Sequence, residues 1–401
     1  MSYVVLARKW RPQTFDEVVG QGHVSRTLSN AIESDRVAHA FLFTGVRGVG
    51  KTTTARILAK ALNCEQGPTP KPCLKCAPCR EIPDGNDVDV QEIDGASYNG
   101  VDEVRRLQEG LPYRPARDRH KIYIVDEVHM LSTAAWNAFL KTLEEPPPHV
   151  KFIFATTEVH KVPLTILSRC QRYDFKLIGT QDIASQVTHV LKKEKVKADG
   201  EVAQLIAREA AGSMRDAMSL LDQVIAWVAG TKDKLTGEAV GRVLGVAAHS
   251  VLHRLGSALV GGEPAACLDV VAELAQQGYS MTNVSKDFLG LLRDVVVAKV
   301  SSKPEGLLDL ADAELADVVA LARASDLDDL SRVHLAFSRA FDDIARSAQP
   351  RAALEMALVR IARRPPLAPL DDLLDRIAEL ERRLAGSTGA GPSGAGSASA
   401  G

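Results

Sequence analysis

The segment that most restricts what this chain can fold into is Gly45-Val46-Arg47-Gly48-Val49-Gly50-Lys51-Thr52, with Thr53 next. It fits Gly-x-x-x-x-Gly-Lys-[Ser/Thr] at every fixed position. The apolar run Ala40-Phe41-Leu42-Phe43-Thr44 before it reads as a buried strand, and the residues from about Lys51 to Leu62 read as a helix. In that setting the glycines let backbone N–H groups turn inward around phosphates, and the helix N-terminus adds partial positive charge. Lys51 is expected to reach the β- and γ-phosphates and Thr52 to ligate Mg²⁺.

A strand–loop–helix of this kind belongs in a parallel sheet covered on both faces, and the next hundred residues supply one. Val88–Ile93, Ile122–Val125 and Lys151–Ala155 read as further strands, separated by helical patterns at Val101–Leu107 and Thr133–Leu143. The fold class expected is therefore an α/β phosphate-loop domain with a parallel sheet. After about Gly179 the strand signal vanishes. Residues 180–243 read as short amphipathic helices broken at Gly200, Gly212 and Gly230. Residues 244–365 are again helical, with apolar spacings such as Leu252-Leu255-Leu259 and Leu354-Leu358-Ile361, and end at Pro365-Pro366. Residues 366–385 form a last amphipathic helix in which Leu370, Leu373, Ile377, Leu380 and Leu384 fall three and four apart. They suit either a short coiled-coil seam or packing on the helix's own domain. Residues 386–401, almost wholly Gly, Ser, Ala and Pro, read as a flexible tail.

The third strand ends in Asp126-Glu127. Strand carboxyl ends face the ligand crevice of such a sheet. Asp126 is thus expected beside the Mg²⁺, with Glu127 orienting or deprotonating an attacking water.

Cys64, Cys73, Cys76 and Cys79 cluster, while Cys170 and Cys267 stand apart as ordinary buried thiols. No export signal precedes them, so the cluster points to metal rather than disulfides, and the expected compartment is the cytoplasm. Four thiolates suit structural Zn²⁺; an iron–sulfur cluster and metal-free thiols are the alternatives. No run approaches the ~20 apolar residues that span a bilayer. The formal net charge of −2 argues against a chain that binds DNA tightly by itself. Arg105, Arg106, Arg114, Arg117, Arg119 and Lys121 do gather, either as a solvated face or as a DNA-contacting patch.

The opening Arg8-Lys9-Trp10-Arg11-Pro12-Gln13-Thr14-Phe15-Asp16-Glu17-Val18-Val19-Gly20-Gln21 resembles the start of clamp-loader AAA+ ATPases. The cysteine knuckle after the phosphate-loop helix is similar to that of the bacterial DNA polymerase III gamma/tau subunits. So are Asp126-Glu127-Val128-His129-Met130-Leu131, Leu143-Glu144-Glu145-Pro146-Pro147 and Ser168-Arg169-Cys170. The resemblance covers residues 1 to about 365. It implies an AAA+ domain over 1–179 with its zinc knuckle at 64–79, a helical lid over 180–243, and a helical collar for oligomerisation over 244–365. It makes Thr157 the first sensor, although Thr156 would serve chemically as well. Arg169 becomes an arginine finger acting in trans on a neighbour's ATP, and Arg215 a second sensor on the lid. The Lys9–Gln21 segment and the Ile178 region are expected to border the adenine.

The function implied is ATP-driven opening of a sliding clamp and its loading onto primed DNA in replication. The partners implied are delta and delta-prime subunits, further gamma/tau copies, the clamp and DNA, with polymerase core and helicase if a longer form exists. One departure is that Ser97-Tyr98-Asn99-Gly100 lacks the basic residue some relatives turn toward DNA. Two other readings compete. A different AAA+ remodeller, of branch-migration or initiator type, leaves the cysteines and Ser168-Arg169-Cys170 unexplained. A scaffold with a degenerate site predicts loss of Lys51, Thr52 or Glu127, and all three are present. No carboxylate set for two-metal nucleotidyl transfer is apparent, so polymerase chemistry would belong to the assembly.

Overall fold

The computed structural model describes residues 4–97, 100–228, 234–245, 247, 249–308, 310, 312–365 and 370–387. Gly230, Tyr98, Asn99, Pro366 and the tail from 388 onward lie outside the described residues, as do the side chains of Arg105, Leu370 and Leu373. The chain divides into two compact units, Met1–Gly245 and Val246–Gly401.

Within the first unit the chain runs α1 (Leu6–Lys9), α2 (Gly22–Glu33), β1 (Ala40–Thr44), α3 (Lys51–Asn63) and α4 (Ala77–Asp84). It continues through β2 (Val90–Asp94), α5 (Val101–Glu109), β3 (Lys121–Asp126), α6 (Thr133–Glu144), β4 (Val150–Thr156), α7 (Leu164–Leu167) and β5 (Gln171–Asp174). The five strands pair in parallel in the order β2-β3-β4-β1-β5. Successive strand residues point to opposite faces, so each buried strand feeds two cores. Phe41, Phe43, Ile122, Ile124, Ile153 and Ala155 pack with Val24, Leu28, Ile57, Leu58 and Leu62 of α2 and α3. Leu42, Tyr123, Val125, Phe152 and Phe154 pack with Trp136, Phe139 and Leu143 of α6. Four of the strands match runs expected from the sequence. The fifth, β5, was not expected.

Three helices of the same unit, α8 (Thr180–Lys193), α9 (Gly200–Glu209) and α10 (Met214–Val228), are joined by α11 (Gly237–Leu244). Their core includes Val187, Ile206, Leu221 and Val224, and also Leu6 and Ile178. Sheet and helices belong to the same compact unit. The opening segment stitches them together. Lys9 Nζ lies 2.7 Å from a Glu194 carboxylate oxygen, and Trp10 Nε1 donates to Glu194 Oε1 at 2.8 Å. On the sheet side, the buried Lys60 ammonium donates to Gln13 O at 2.7 Å and to Gln13 Oε1 at 2.8 Å.

The second unit is helical: α12 (His249–Val260), α13 (Pro264–Gln276), α14 (Met281–Val300), α15 (Asp312–Arg323), α16 (Leu327–Arg346), α17 (Pro350–Ala362) and α18 (Leu370–Ser387). Leu255, Leu259, Phe288, Phe337 and Leu358 centre its core, with Phe288 and Phe337 in edge-to-face contact at 4.9 Å. In α18, Leu374, Ile377, Leu380 and Leu384 are 53–67% exposed. These described side chains therefore do not follow the reading in which that helix buries its apolar stripe on its own domain.

Candidate nucleotide site and cysteine cluster

The register across the sheet brings a row of polar groups to one edge. Asp94 stands opposite Asp126, and Thr44 opposite both Thr156 and Asp174. Because β4 lies between β1 and β3, the loops after those strands converge.

The phosphate loop leaves β1 through Gly45, whose φ of +145° and 2.5 Å approach of a built Cβ to Phe175 O exclude any side chain. Lys51, 6% exposed, donates to Gly45 O at 2.8 Å and Val46 O at 2.9 Å. Burial lowers its pKa from the ordinary lysine value, against the opposing pull of the Glu127 and Asp126 carboxylates. The Thr52 hydroxyl donates to Asp126 Oδ2 at 2.6 Å, and the Glu127 N–H to Asp126 Oδ1 at 2.9 Å. Val46 and Arg47 are exposed at the loop's tip, Val49 is buried, and Thr53 is half-buried on the first turn of α3. Gly50, at φ +103°, is the N-cap of α3.

Glu127 adopts a left-handed backbone (φ 47°, ψ 44°), uncommon for a residue with a Cβ. Its carboxylate accepts the Thr157 hydroxyl at 3.1 Å. Thr156, by contrast, is fully buried, accepting the Glu158 N–H at 3.0 Å and contacting His129 Nδ1 at 3.2 Å. Of the two threonines, Thr157 is the one that reaches the acidic pair.

The lid closes on the loop from the other side. The Arg215 N–H donates to Gly48 O at 3.3 Å, and its exposed side chain stands on the first turn of α10. Gly20 packs on Ile178, and Val18 lies nearest Gly50, so the opening segment flanks the loop. Arg169 sits elsewhere. Its guanidinium donates to Glu144 Oε1 and to Thr165 O, each at 2.5 Å, and to Ser168 Oγ at 3.3 Å.

The four clustered cysteines converge: their sulfurs lie within 4.8 Å of one another. Tetrahedral thiolates around zinc sit roughly 3.8 Å apart. Backbone N–H groups point at the sulfurs: Cys73 at Cys64 Sγ (3.4 Å), and Cys76 and Lys75 at Cys73 Sγ (3.3 and 3.4 Å). Those two donors pull the Cys73 thiol down to about 6, while burial pushes Cys79 up. Close sulfurs with donors aimed at them fit a bound cation. Cys170 and Cys267 are not among the four, and burial raises their thiols to about 12 and about 11.

Much of the basic run is used within the fold. Arg117 binds Glu81, Asp87 and Asp118; Arg119 donates to Glu65 O; Lys121 donates to Gly110 O. Three cations expected on a solvated or DNA-facing patch thus fasten the 116–121 segment. Sequence reasoning missed His129 beside Glu127, Glu158 beside His129, and Ser213 beneath Gly48. A histidine two residues past a strand-end carboxylate was the available signal for the first; the others depend on chain closure.

Three family models match in succession: "DNA polymerase III, delta subunit" over residues 20–178, "DNA polymerase III clamp loader subunit, ATPase lid domain" over 182–230, and "DNA polymerase III subunits gamma and tau domain III" over 235–377. The DNA polymerase III subunit tau of Bacillus subtilis is 40% identical across 96% of this chain and 68% of its own length. The corresponding tau of Escherichia coli is 42% identical across 93% of this chain and 57% of its own. A gamma subunit from Buchnera aphidicola is 34% identical across 90% of this chain and 97% of its own. The chain thus spans little more than half of one tau relative and nearly all of a gamma relative. With the phosphate loop, lid and helical unit each matched in order, the chain belongs to the gamma/tau family of DNA polymerase III clamp-loader ATPase subunits.

Proposed function

We propose that this chain is the ATP-hydrolysing motor of a clamp loader, using ATP binding and hydrolysis to open a sliding clamp and load it onto primed DNA. The observation that carries the reading is the hydrogen-bonded row Thr52–Asp126 and Glu127–Thr157 beside Lys51, with Arg169 held outside that row.

Lys51 exchanges its two loop carbonyls for β- and γ-phosphate oxygens as ATP enters. Thr52 and Asp126 would hold Mg²⁺, which supplies charge neutralisation on the phosphates. Glu127 orients or deprotonates the attacking water, and Thr157 fixes its carboxylate. Arg215 reaches over the nucleotide from the lid. Arg169 completes a neighbouring copy's site. Its pairing with the half-exposed Glu144 is a surface ion pair, worth about 0–1 kcal/mol, so releasing it costs little. Cys64, Cys73, Cys76 and Cys79 would hold a zinc ion, whose role with four thiolate ligands would be structural.

The partners of this reading are delta and delta-prime subunits, further copies of this chain, the clamp and primed DNA, with the work done in the cytoplasm. Among the described residues no helix is long and apolar enough to cross a membrane. Steady-state ATP hydrolysis, measured as those components are added stepwise, tests the reading. Clamp and DNA should stimulate hydrolysis, and Arg169→Ala should abolish the stimulation while ATP binding persists. A chain that is fully active alone and indifferent to clamp would overturn it.

A further inference from the structure

Glu127 has a second contact that its assigned role does not explain. The side chain of His129, on the three-residue turn Val128–Met130, is 8% exposed, and both its ring nitrogens are engaged. Nδ1 lies 3.2 Å from Thr156 Oγ1 and 3.4 Å from Glu127 Oε2; Nε2 lies 3.4 Å from Glu158 Oε1. The ring is held in turn. Thr156 Oγ1 accepts the Glu158 N–H at 3.0 Å, and the Glu158 carboxylate binds Lys161 Nζ at 2.8 Å. Lys161 first, then the nearby histidines, keep that carboxyl below its ordinary value.

A buried imidazole kept only for packing could be replaced by an apolar side chain at no polar cost. Here each nitrogen has a partner, and the partner on the Nδ1 side is the carboxylate read above as catalytic. That carboxylate is gripped through one oxygen: Oε2 meets both Thr157 Oγ1, at 3.1 Å, and His129 Nδ1. Among the described residues none donates a hydrogen bond to Oε1, which leaves that oxygen to a water.

We infer that His129 is the positioning residue of Glu127: with Thr157 it anchors Oε2 and so presents Oε1 to the attacking water, while Thr156 and Glu158 lock the imidazole. The inference rests on the reading of Glu127 as the catalytic carboxylate. A carboxylate that loses one of two anchors samples wrong orientations, which lowers turnover without touching phosphate binding.

The test uses the full chain assembled with its delta and delta-prime subunits, clamp and primed DNA. It measures kcat and KM for ATP, affinity for a fluorescent ATP analogue, and Tm. His129→Ala should lower kcat about tenfold or more, with KM and nucleotide affinity within about twofold of wild type. His129→Asn, whose amide occupies the place of Nδ1, should recover more activity than His129→Gln, whose amide occupies the place of Nε2. Wild-type kcat in all three variants, with Glu127→Gln inactive, overturns the inference and spares the site. An equal loss in all three with raised KM and lowered Tm also overturns it, because it marks a packing role. Wild-type turnover by Glu127→Gln removes the site reading itself, and the inference with it.

Discussion

The phosphate-loop pattern leaves position 48 open to any residue, but the structure closes it. Gly48 has a φ of +80°, and a Cβ built there falls 2.0 Å from Ser213 Oγ, 3.1 Å from Ser213 Cβ and 3.2 Å from Arg215 Cβ. Gly48→Ala therefore incurs two costs. The left-handed backbone with a Cβ costs about 1–2 kcal/mol. The Ser213 hydroxyl must also rotate away, and it is not idle: it accepts the Asp216 N–H at 3.3 Å, satisfying a donor at the start of α10. Losing such a cap costs about 1 kcal/mol. The sum is about 2–3 kcal/mol, which lowers the Tm of a unit this size by roughly 5–10 °C. The crowding at Arg215 Cβ also displaces the lid's first turn, so affinity for ATP should fall about tenfold.

Thermal unfolding and titration with a fluorescent ATP analogue measure both effects, and a double-mutant cycle isolates the contact. Ser213→Ala alone should cost about 1 kcal/mol through the cap. In that background the hydroxyl is gone, so Gly48→Ala should cost only its backbone share. The two changes should therefore be sub-additive by about 1 kcal/mol. Additivity within ~0.3 kcal/mol, or a Gly48→Ala chain with wild-type Tm and ATP affinity, would refute the reasoning.

Three further outcomes are expected. Asp89, 2% exposed, accepts the N–H groups of Ala116, Arg117 and Asp118 at 2.7, 2.8 and 2.9 Å, so Asp89→Asn should destabilise the first unit by roughly 2–4 kcal/mol in urea unfolding. Burial raises that carboxyl's pKa but the three donors outweigh it; the folded value is depressed, and its contribution is lost as pH falls through that value. His120 is pushed down to about 4, first by burial and then by Lys151, Arg119 and His149. Unfolding lets it take a proton below its ordinary 6.5, so stability should drop by roughly 3 kcal/mol between pH 6.5 and 4. His120→Gln should flatten that stretch when urea midpoints are compared at pH 7 and 4.5, and an unchanged slope would remove His120 as its source. Finally, purified chain should release about one zinc per molecule on thiol modification, as read with a chromogenic chelator, and Cys76→Ser should carry less; an iron-containing or metal-free chain would exclude the zinc reading.

What could be read in the sequence was chemistry whose partners are neighbours in the chain. The phosphate loop is eight consecutive residues between a strand and a helix, the acidic pair is two, and Cys73, Cys76 and Cys79 repeat at two-residue gaps, with eight residues between Cys64 and Cys73. Elements whose signal is mixed escaped. β5 buries only Tyr173 of Gln171-Arg172-Tyr173-Asp174, an edge strand too polar and too short to alternate visibly. α4 carries Pro78 and Pro83, yet Pro78 stands in the first turn, where the missing N–H has no helical partner to lose.

The site's finer geometry depends on an order that the chain does not spell. β1 and β3 are the first and third strands in sequence, but the fourth lies between them in the sheet. That insertion is what carries Thr157 to the Glu127 carboxylate and buries Thr156 and His129 behind it. The pairing of β2 with β3 likewise brings the exposed Arg117 guanidinium to Asp87, and the backbone N–H groups of Ala116, Arg117 and Asp118 to Asp89. Hydrogen bonds between residues this far apart follow from strand order. Strand order is set by which apolar faces can be covered together, and that property belongs to the whole sheet rather than to any window of its sequence.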